Sequence, residues 1–272
     1  MMPTTDFRRA GTVAYVGAIA AHRIVPIRRR ILVGLLLVIG LVCWCEIGAT
    51  SGAELGPPSP SIGNAMNKPV ANAIASLPLE NQAGQPVTLD QFRGRAVLLV
   101  PFLTSCQEEC PITTAALLSV QRAIRSDGLA KKVAIVEVTV DPGRDTPQRM
   151  SAYASLTGSN WTLVTGAPTT LAALWRYFGI YYQNVPEGSP PGIDWETHLP
   201  YTYDVDHSDG FVLLDTHLHE RFIAGGMTRI GKIPANLHKL LDSEGKDNLR
   251  HPGGGTWTIN DAVNAIEWAL GR

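Results

Sequence analysis

Along this chain, unbroken apolar runs of strand length alternate with stretches whose apolar residues recur at helical spacing. Leu77 to Phe92 reads as a short hairpin around Gly84, and Ala96 to Leu103 as a continuous apolar strand. A run of that length without polar interruption belongs to a central strand covered on both faces. Pro111 to Ser126 carries Ala116, Leu117, Val120 and Ile124 at helical spacing, with Pro in the first turn, where a missing N–H is harmless. Val133 to Val140 is strand-like again, and Asp145-Thr146-Pro147 supplies a cap and a first-turn Pro for a helix reaching Leu156. Trp161 to Val164 then reads as a short strand, Thr169 to Phe178 as a helix, and Gln183 to Pro200 as a loop rich in Pro and Gly. Tyr201 to Asp206, Phe211 to Asp215 and His219 to Ile223 read as strands, and Pro234 to Leu241 as a helix.

The order β-α-β-α-β-α-β-β-α predicts an α/β fold of thioredoxin-like plan: a mixed sheet flanked by helices, with the last two strands forming an antiparallel edge. The tail from Gly245 contains His251-Pro252-Gly253-Gly254-Gly255 and a short helix over Asp261 to Leu270. No phosphate-cradling Gly loop follows a strand, and there is no nucleophile-elbow Ser.

The N-terminal pattern differs in kind. Ile31 to Cys45 is uncharged, Glu46 and Ile47-Gly48-Ala49 follow it, and Arg28, Arg29 and Arg30 abut it. The run is shorter than the roughly 20 residues of a comfortable transmembrane helix, yet its flanks are those of a membrane anchor. The expected organisation is a basic segment over 1–30, one transmembrane helix over 31–49, a flexible linker of Ser, Pro, Gly, Ala and Asn over 50–73, a folded domain over 74–245 and a C-terminal extension over 246–272. Arginines before the run place the N-terminus on the cytoplasmic or matrix side and the domain across the membrane. A cleaved signal peptide would put the domain on the same side, but a basic region this long is unusual for one. Cys43 and Cys45 fall at the outer end of the anchor and read as small apolar residues of it.

Composition sharpens this division. The chain has 272 residues, 45% hydrophobic and 17% charged, with a net charge of -1. Six Arg and the single acid Asp6 fall in residues 1–30, so residues 31–272 hold 17 basic and 23 acidic side chains, a net charge of -6. Nucleic acid is not an expected partner, because neutralising phosphates needs a basic face.

Between the apolar strand and its helix stands Thr104-Ser105-Cys106-Gln107-Glu108-Glu109-Cys110-Pro111. Two cysteines four apart in a strand-to-helix loop turn both sulfurs toward one point, where a helix N-terminus favours thiolate. A soft metal, a redox-active pair and a structural disulfide all fit this spacing. A bridge across so short a loop restricts the unfolded chain little, which weighs against the last. Glu108 and Glu109 oppose thiolate formation and favour a bound cation.

From this loop outward the chain resembles the Sco/SenC family of copper-binding assembly proteins. The strand ending Pro101-Phe102-Leu103-Thr104-Ser105 before the two cysteines resembles the family's metal loop. Val140-Asp141-Pro142-Gly143-Arg144-Asp145-Thr146-Pro147 is similar to a second signature, Trp161-Thr162-Leu163-Val164-Thr165-Gly166 to a third, and Val205-Asp206-His207-Ser208 to the segment bearing a ligand histidine. The four are collinear over residues 77–243.

The resemblance implies a membrane-anchored domain that binds one copper ion, Cu(I) or Cu(II), through Cys106, Cys110 and His207. It further implies that the copper-bearing subunit of cytochrome c oxidase is the partner, with other copper chaperones or thiol reductants as further partners. The expected location is a bacterial inner membrane with the domain in the periplasm, the alternative being a mitochondrial inner membrane facing the intermembrane space. A thiol-disulfide oxidoreductase using Cys106 and Cys110 is the alternative function, and Asp141 is an expected supporting acid beside the site. Two departures stand out. Gln107 and Glu108 occupy positions where the family usually has Pro and Asp, and His217 and His219 replace an Asp-Gly type turn after Asp215.

Overall fold

The computed structural model describes residues 55–272. The basic segment 1–30, the anchor expected over 31–49, and Cys43 and Cys45 lie outside the described residues. Among the described residues no helix is long and apolar enough to cross a membrane.

In chain order the elements are β1 (Gly63–Pro69), a one-turn helix α1 (Asn72–Ala75), β2 (Leu79–Asn81), β3 (Pro86–Val87), β4 (Ala96–Phe102), α2 (Cys110–Ser126), β5 (Val133–Thr139), α3 (Pro147–Thr157), β6 (Thr162–Thr165) and α4 (Pro168–Phe178). There follow β7 (Tyr182–Val185), β8 (Asp204–His207), β9 (Gly210–Leu214), β10 (His219–Gly225), α5 (Ala235–His238), α6 (Ser243–Arg250) and α7 (Ile259–Ala269). Eight strands form one mixed sheet in the order β1-β10-β9-β4-β5-β6-β2-β3, and β7 pairs with β8 in a separate ribbon.

The sheet is built around its most apolar strands. Every residue of β4 and β5 is buried, and the two run parallel, with β6 parallel to β5 and β9 antiparallel to β4. The parallel pairs demand crossovers, which α2 and α3 supply. Thr146 opens α3 by accepting a hydrogen bond from Arg149 N at 3.2 Å, and Gly158 closes it at φ 80°, a left-handed conformation that suits glycine. Trp175 of α4 is fully buried and donates from Nε1 to Thr139 O at the end of β5, at 3.0 Å.

Three expectations change. Residues 63–69, expected in the linker, form the edge strand β1 on β10. Most of its side chains are exposed, so it shows no apolar alternation, and Gly63 leaves no room for a Cβ against Ile223, Ala224 and Phe222. Gln183 to Val185, expected to open the loop, instead belong to β7, and the segment expected as a strand over 201–206 begins only at Asp204 and pairs with β7 outside the main sheet. The chain after residue 245 is part of the core. Trp257, Ala262, Ala265 and Ile266 are fully buried, α7 lies against α2, and Trp257 sets its ring edge on Phe211 at 5.2 Å.

Candidate metal centre

Cys106 sits in the loop leaving β4, Cys110 is the first residue of α2, and His207 ends β8. The ligand atoms of these three side chains all lie within 4.8 Å of one another, and no other such group of three occurs among the described residues. Thiolate and imidazole donors sit about 2.0–2.3 Å from a first-row ion, so two donors on one ion are at most about 4.6 Å apart. The cluster needs only a small side-chain adjustment to close on a metal.

Local structure explains each position. The loop leaving β4 folds back on the start of α2, so the N–H groups of Glu109 and Cys110 donate to Cys106 Sγ, at 3.4 and 3.3 Å. His207 Nδ1 lies 3.0 Å from Ser208 O, and donating its proton there leaves Nε2 free to face Cys110 Sγ at 4.0 Å. Both cysteines are free.

The electrostatics divide the thiols. A hydrogen bond from Cys110, opposed by burial and aided by His207, holds Cys106 well below the usual thiol range. The same bond, burial and the Cys106 charge push Cys110 well above it. Burial works to lower the His207 pKa, but its interaction with Cys106 and the charge of Asp209 outweigh that and raise it to about 9. Cys106 is thus the more acidic thiol of a pair that faces an imidazole. Around it a cleft of about 240 Å³ is walled by Glu108, Glu109, Asp204, Asp206, Asp209 and Glu244. Burial raises Glu108 to about 8 and, helped by Asp209, Glu109 to about 10. A cation entering this cleft meets oxygen and sulfur donors and no basic side chain but His207.

Asp141 takes a different place from the one expected. Its carboxylate accepts from Arg144 Nε and from Tyr203 Oη, the latter at 2.9 Å, and it makes no hydrogen bond to the cysteines or His207. Arg144 also donates to Tyr203 O at 2.8 Å, so Asp141 anchors the chain just before β8. The acid that holds the cysteine loop is Asp145, expected only as part of a helix cap. It is fully buried and accepts from Thr104 N at 3.2 Å, Thr104 Oγ1 at 2.5 Å and Thr139 Oγ1 at 2.5 Å. Arg149 completes the support, donating to Thr104 Oγ1 at 2.6 Å while pairing with Asp194 at 2.9 Å and Glu196 at 3.2 Å. Only its place one turn into α3, beside a capping Thr, hinted at Arg149. His217 and His219 stand with ring centroids 6.3 Å apart, and Asp215 Oδ1 accepts from both their backbone N–H groups at 2.9 Å, so the turn is held by an Asp side chain.

A mixed sheet of this plan, with two cysteines at the end of its central strand and a histidine brought beside them, defines a thioredoxin-like domain with a soft-donor cluster. The SCO1/SenC profile matches residues 67–241, and the chain belongs to that family. A Stutzerimonas stutzeri protein to which copper binding is ascribed is 26% identical over 187 residues, covering 66% of this chain and 83% of its own. The mitochondrial SCO2 homolog of Mus musculus is 29% identical over 137 residues, 50% of each chain. The Bacillus subtilis SCO1 homolog is 27% identical over 107 residues, covering 38% of this chain and 54% of its own, so with these two the match spans about half of the relative. Arabidopsis thaliana ScoI, solved with copper bound, superposes with a TM-score of 0.51 at 18% identity, covering 76% of this chain and 97% of its own. Apo Sco1 from Thermus thermophilus does so at 0.50 and 22%, covering 75% and 94%. Both confirm the fold.

Proposed function

We propose that the protein is a membrane-anchored copper metallochaperone. It binds one copper ion through Cys106, Cys110 and His207 and delivers it to, or matures with it, the copper centre of cytochrome c oxidase. The observation that carries this is the convergence of three donors, from two distant segments, within 4.8 Å. Two thiolates are soft donors that favour Cu(I), and an imidazole added to them permits Cu(II), so this set suits copper in both states. Family membership and the copper binding ascribed to the Stutzerimonas relative support the same reading. Residues 31–49 are its anchor, and the domain works on the far side of the membrane from the N-terminus. The half-buried Cys106 and an acidic cleft that opens on it make the ion accessible for ligand exchange with an acceptor.

One observation favours a second reading. The hydrogen bond from Cys110 lowers the Cys106 pKa and raises that of Cys110, and a more acidic thiol beside a less acidic one is also what a thiol-disulfide oxidoreductase requires. His207 separates the two. A copper carrier needs the third donor; a dithiol reductase needs an attacking thiolate, a resolving thiol and access. In cells lacking the native protein, His207→Ala is expected to fail in oxidase assembly while Cys106 and Cys110 still cycle. Full rescue by His207→Ala with none by Cys106→Ser would establish thiol exchange instead.

A further inference from the structure

The segment between β7 and β8 grips the metal loop at three points. Trp195 Nε1 donates to Thr104 O at 2.8 Å, and Arg149 bridges Thr104 Oγ1 to Asp194 and Glu196. The third is Gln107, whose Nε2 donates to Ile193 O at 3.1 Å. Gln107 is held on its other side too, because its carbonyl accepts from Asp242 N at 3.0 Å, and Gly245 of α6 approaches so closely that a Cβ there would strike Gln107 O and Glu108.

Gly192 lies directly against the Gln107 amide. A Cβ at this position would collide with Gln107 Oε1, and the Gly192 backbone is fixed on both sides, donating to Glu187 Oε1 at 3.1 Å and accepting from Tyr201 N at 2.8 Å. A side chain at position 192 would have to push the Gln107 amide aside and crowd the Tyr201 ring. The same segment runs on through Tyr203, which Asp141 and Arg144 hold, into β8 and His207. This strap thus touches the residue after Cys106 at one point and carries His207 at its end.

We infer that Gln107 is a positioning residue: by bonding Ile193 beside Gly192 it ties the metal loop to the strap and fixes Cys106 relative to His207. This rests on the metal site proposed above. Residues that orient ligands without touching the ion typically contribute about 10–100-fold to metal affinity.

The test compares full-length protein with Gln107→Ala, Gln107→Met, Gly192→Ala and the Gln107→Ala/Gly192→Ala double variant. Gln107→Met keeps the bulk and removes only the amide. Copper-loaded protein is read by the Cu(II)–thiolate charge-transfer band and by competition with a chromophoric chelator, and metal-free protein by the rate at which iodoacetamide alkylates reduced Cys106. Each single variant is expected to shift the band, weaken copper about tenfold and speed alkylation. The double variant should do little more than Gln107→Ala alone, because the Gln107 amide oxygen is the nearest atom to the added Cβ, ahead of the Tyr201 ring at 3.1 Å. An unchanged band, affinity and alkylation rate in Gln107→Met would overturn the inference, as would additive effects in the double variant. If the wild-type protein binds no copper, the metal-site reading falls, and the alkylation rates still decide whether Gln107 holds the loop.

Discussion

Cys110 Sγ and His207 Nε2 face each other across 4.0 Å although 97 residues separate them in the chain. Two features bring them together. The α2 N-terminus presents Cys110 at the end of the central strand, and the β7–β8 ribbon carries His207 over it from outside the sheet. The ribbon pairs Tyr182 with His207, so the histidine is placed by strand register as well as by loop length.

Arg149 is the pivot of the supporting network, buried between Thr104, Asp194 and Glu196. Replacing it with Met removes the cation and leaves Asp194 without its ionic partner, a change expected to destabilise the fold by about 3–5 kcal/mol. Chemical unfolding measures this. Arg149→Met/Asp194→Asn should recover part of the loss, since the uncompensated charge is then gone as well.

Glu137 gives the fold a pH dependence of its own. It is fully buried on β5, accepts from Trp161 Nε1 at 2.7 Å, and burial raises its pKa from 4.5 to about 7. The folded protein therefore holds this proton more tightly than the unfolded chain. The stability it contributes is complete below the unfolded value and is lost as pH rises through the folded one. Between pH 5 and pH 8 the wild-type protein should lose about 2–3 kcal/mol from this group. Glu137→Gln, compared by denaturant unfolding at the two pH values, should lack that part of the change.

The C-terminal segment is expected to be indispensable to the domain. Trp257 is fully buried, donates from Nε1 to Gly226 O at 3.1 Å, and packs on Phe211. Trp257→Ala should cost about 3–5 kcal/mol in unfolding free energy. A chain ending at residue 250 would leave Phe211 and the α2 face uncovered, and its unfolding transition should be broad or absent.

Much of this architecture was legible in the sequence because central strands announce themselves. Ala96 to Leu103 and Val133 to Val140 are buried on both faces and so read as continuous apolar runs, while Pro111 and Pro147 mark where their crossover helices start. The edge strand β1 was not legible, because its pairing uses backbone groups and its side chains face water. The first strand of the β7–β8 ribbon was hidden for a related reason: Gln183 and Asn184 are exposed, and the signal there came from the Pro and Gly residues that follow, whereas β8 overlaps the strand expected over Tyr201 to Asp206. At the site, Cys106 and Cys110 announce themselves by spacing, whereas His207 needed a family resemblance to be chosen among the histidines. Asp141 and Asp145 illustrate the remaining gap. Both lie in one signature segment four residues apart, and only the way the β5–α3 turn folds aims Asp145 at Thr104 and Asp141 at Tyr203.

The central claim is that three side chains hold one copper ion, and stoichiometric titration of the reduced protein tests it most directly. Wild-type protein should bind one copper per chain and, as Cu(II), show thiolate charge-transfer absorption. Cys106→Ser and Cys110→Ser should each abolish that absorption, and His207→Ala should weaken retention of Cu(II) by more than the roughly 10–100-fold expected of a residue outside the ligand set. Equal copper binding by the Cys106→Ser/Cys110→Ser double variant would contradict the assigned site.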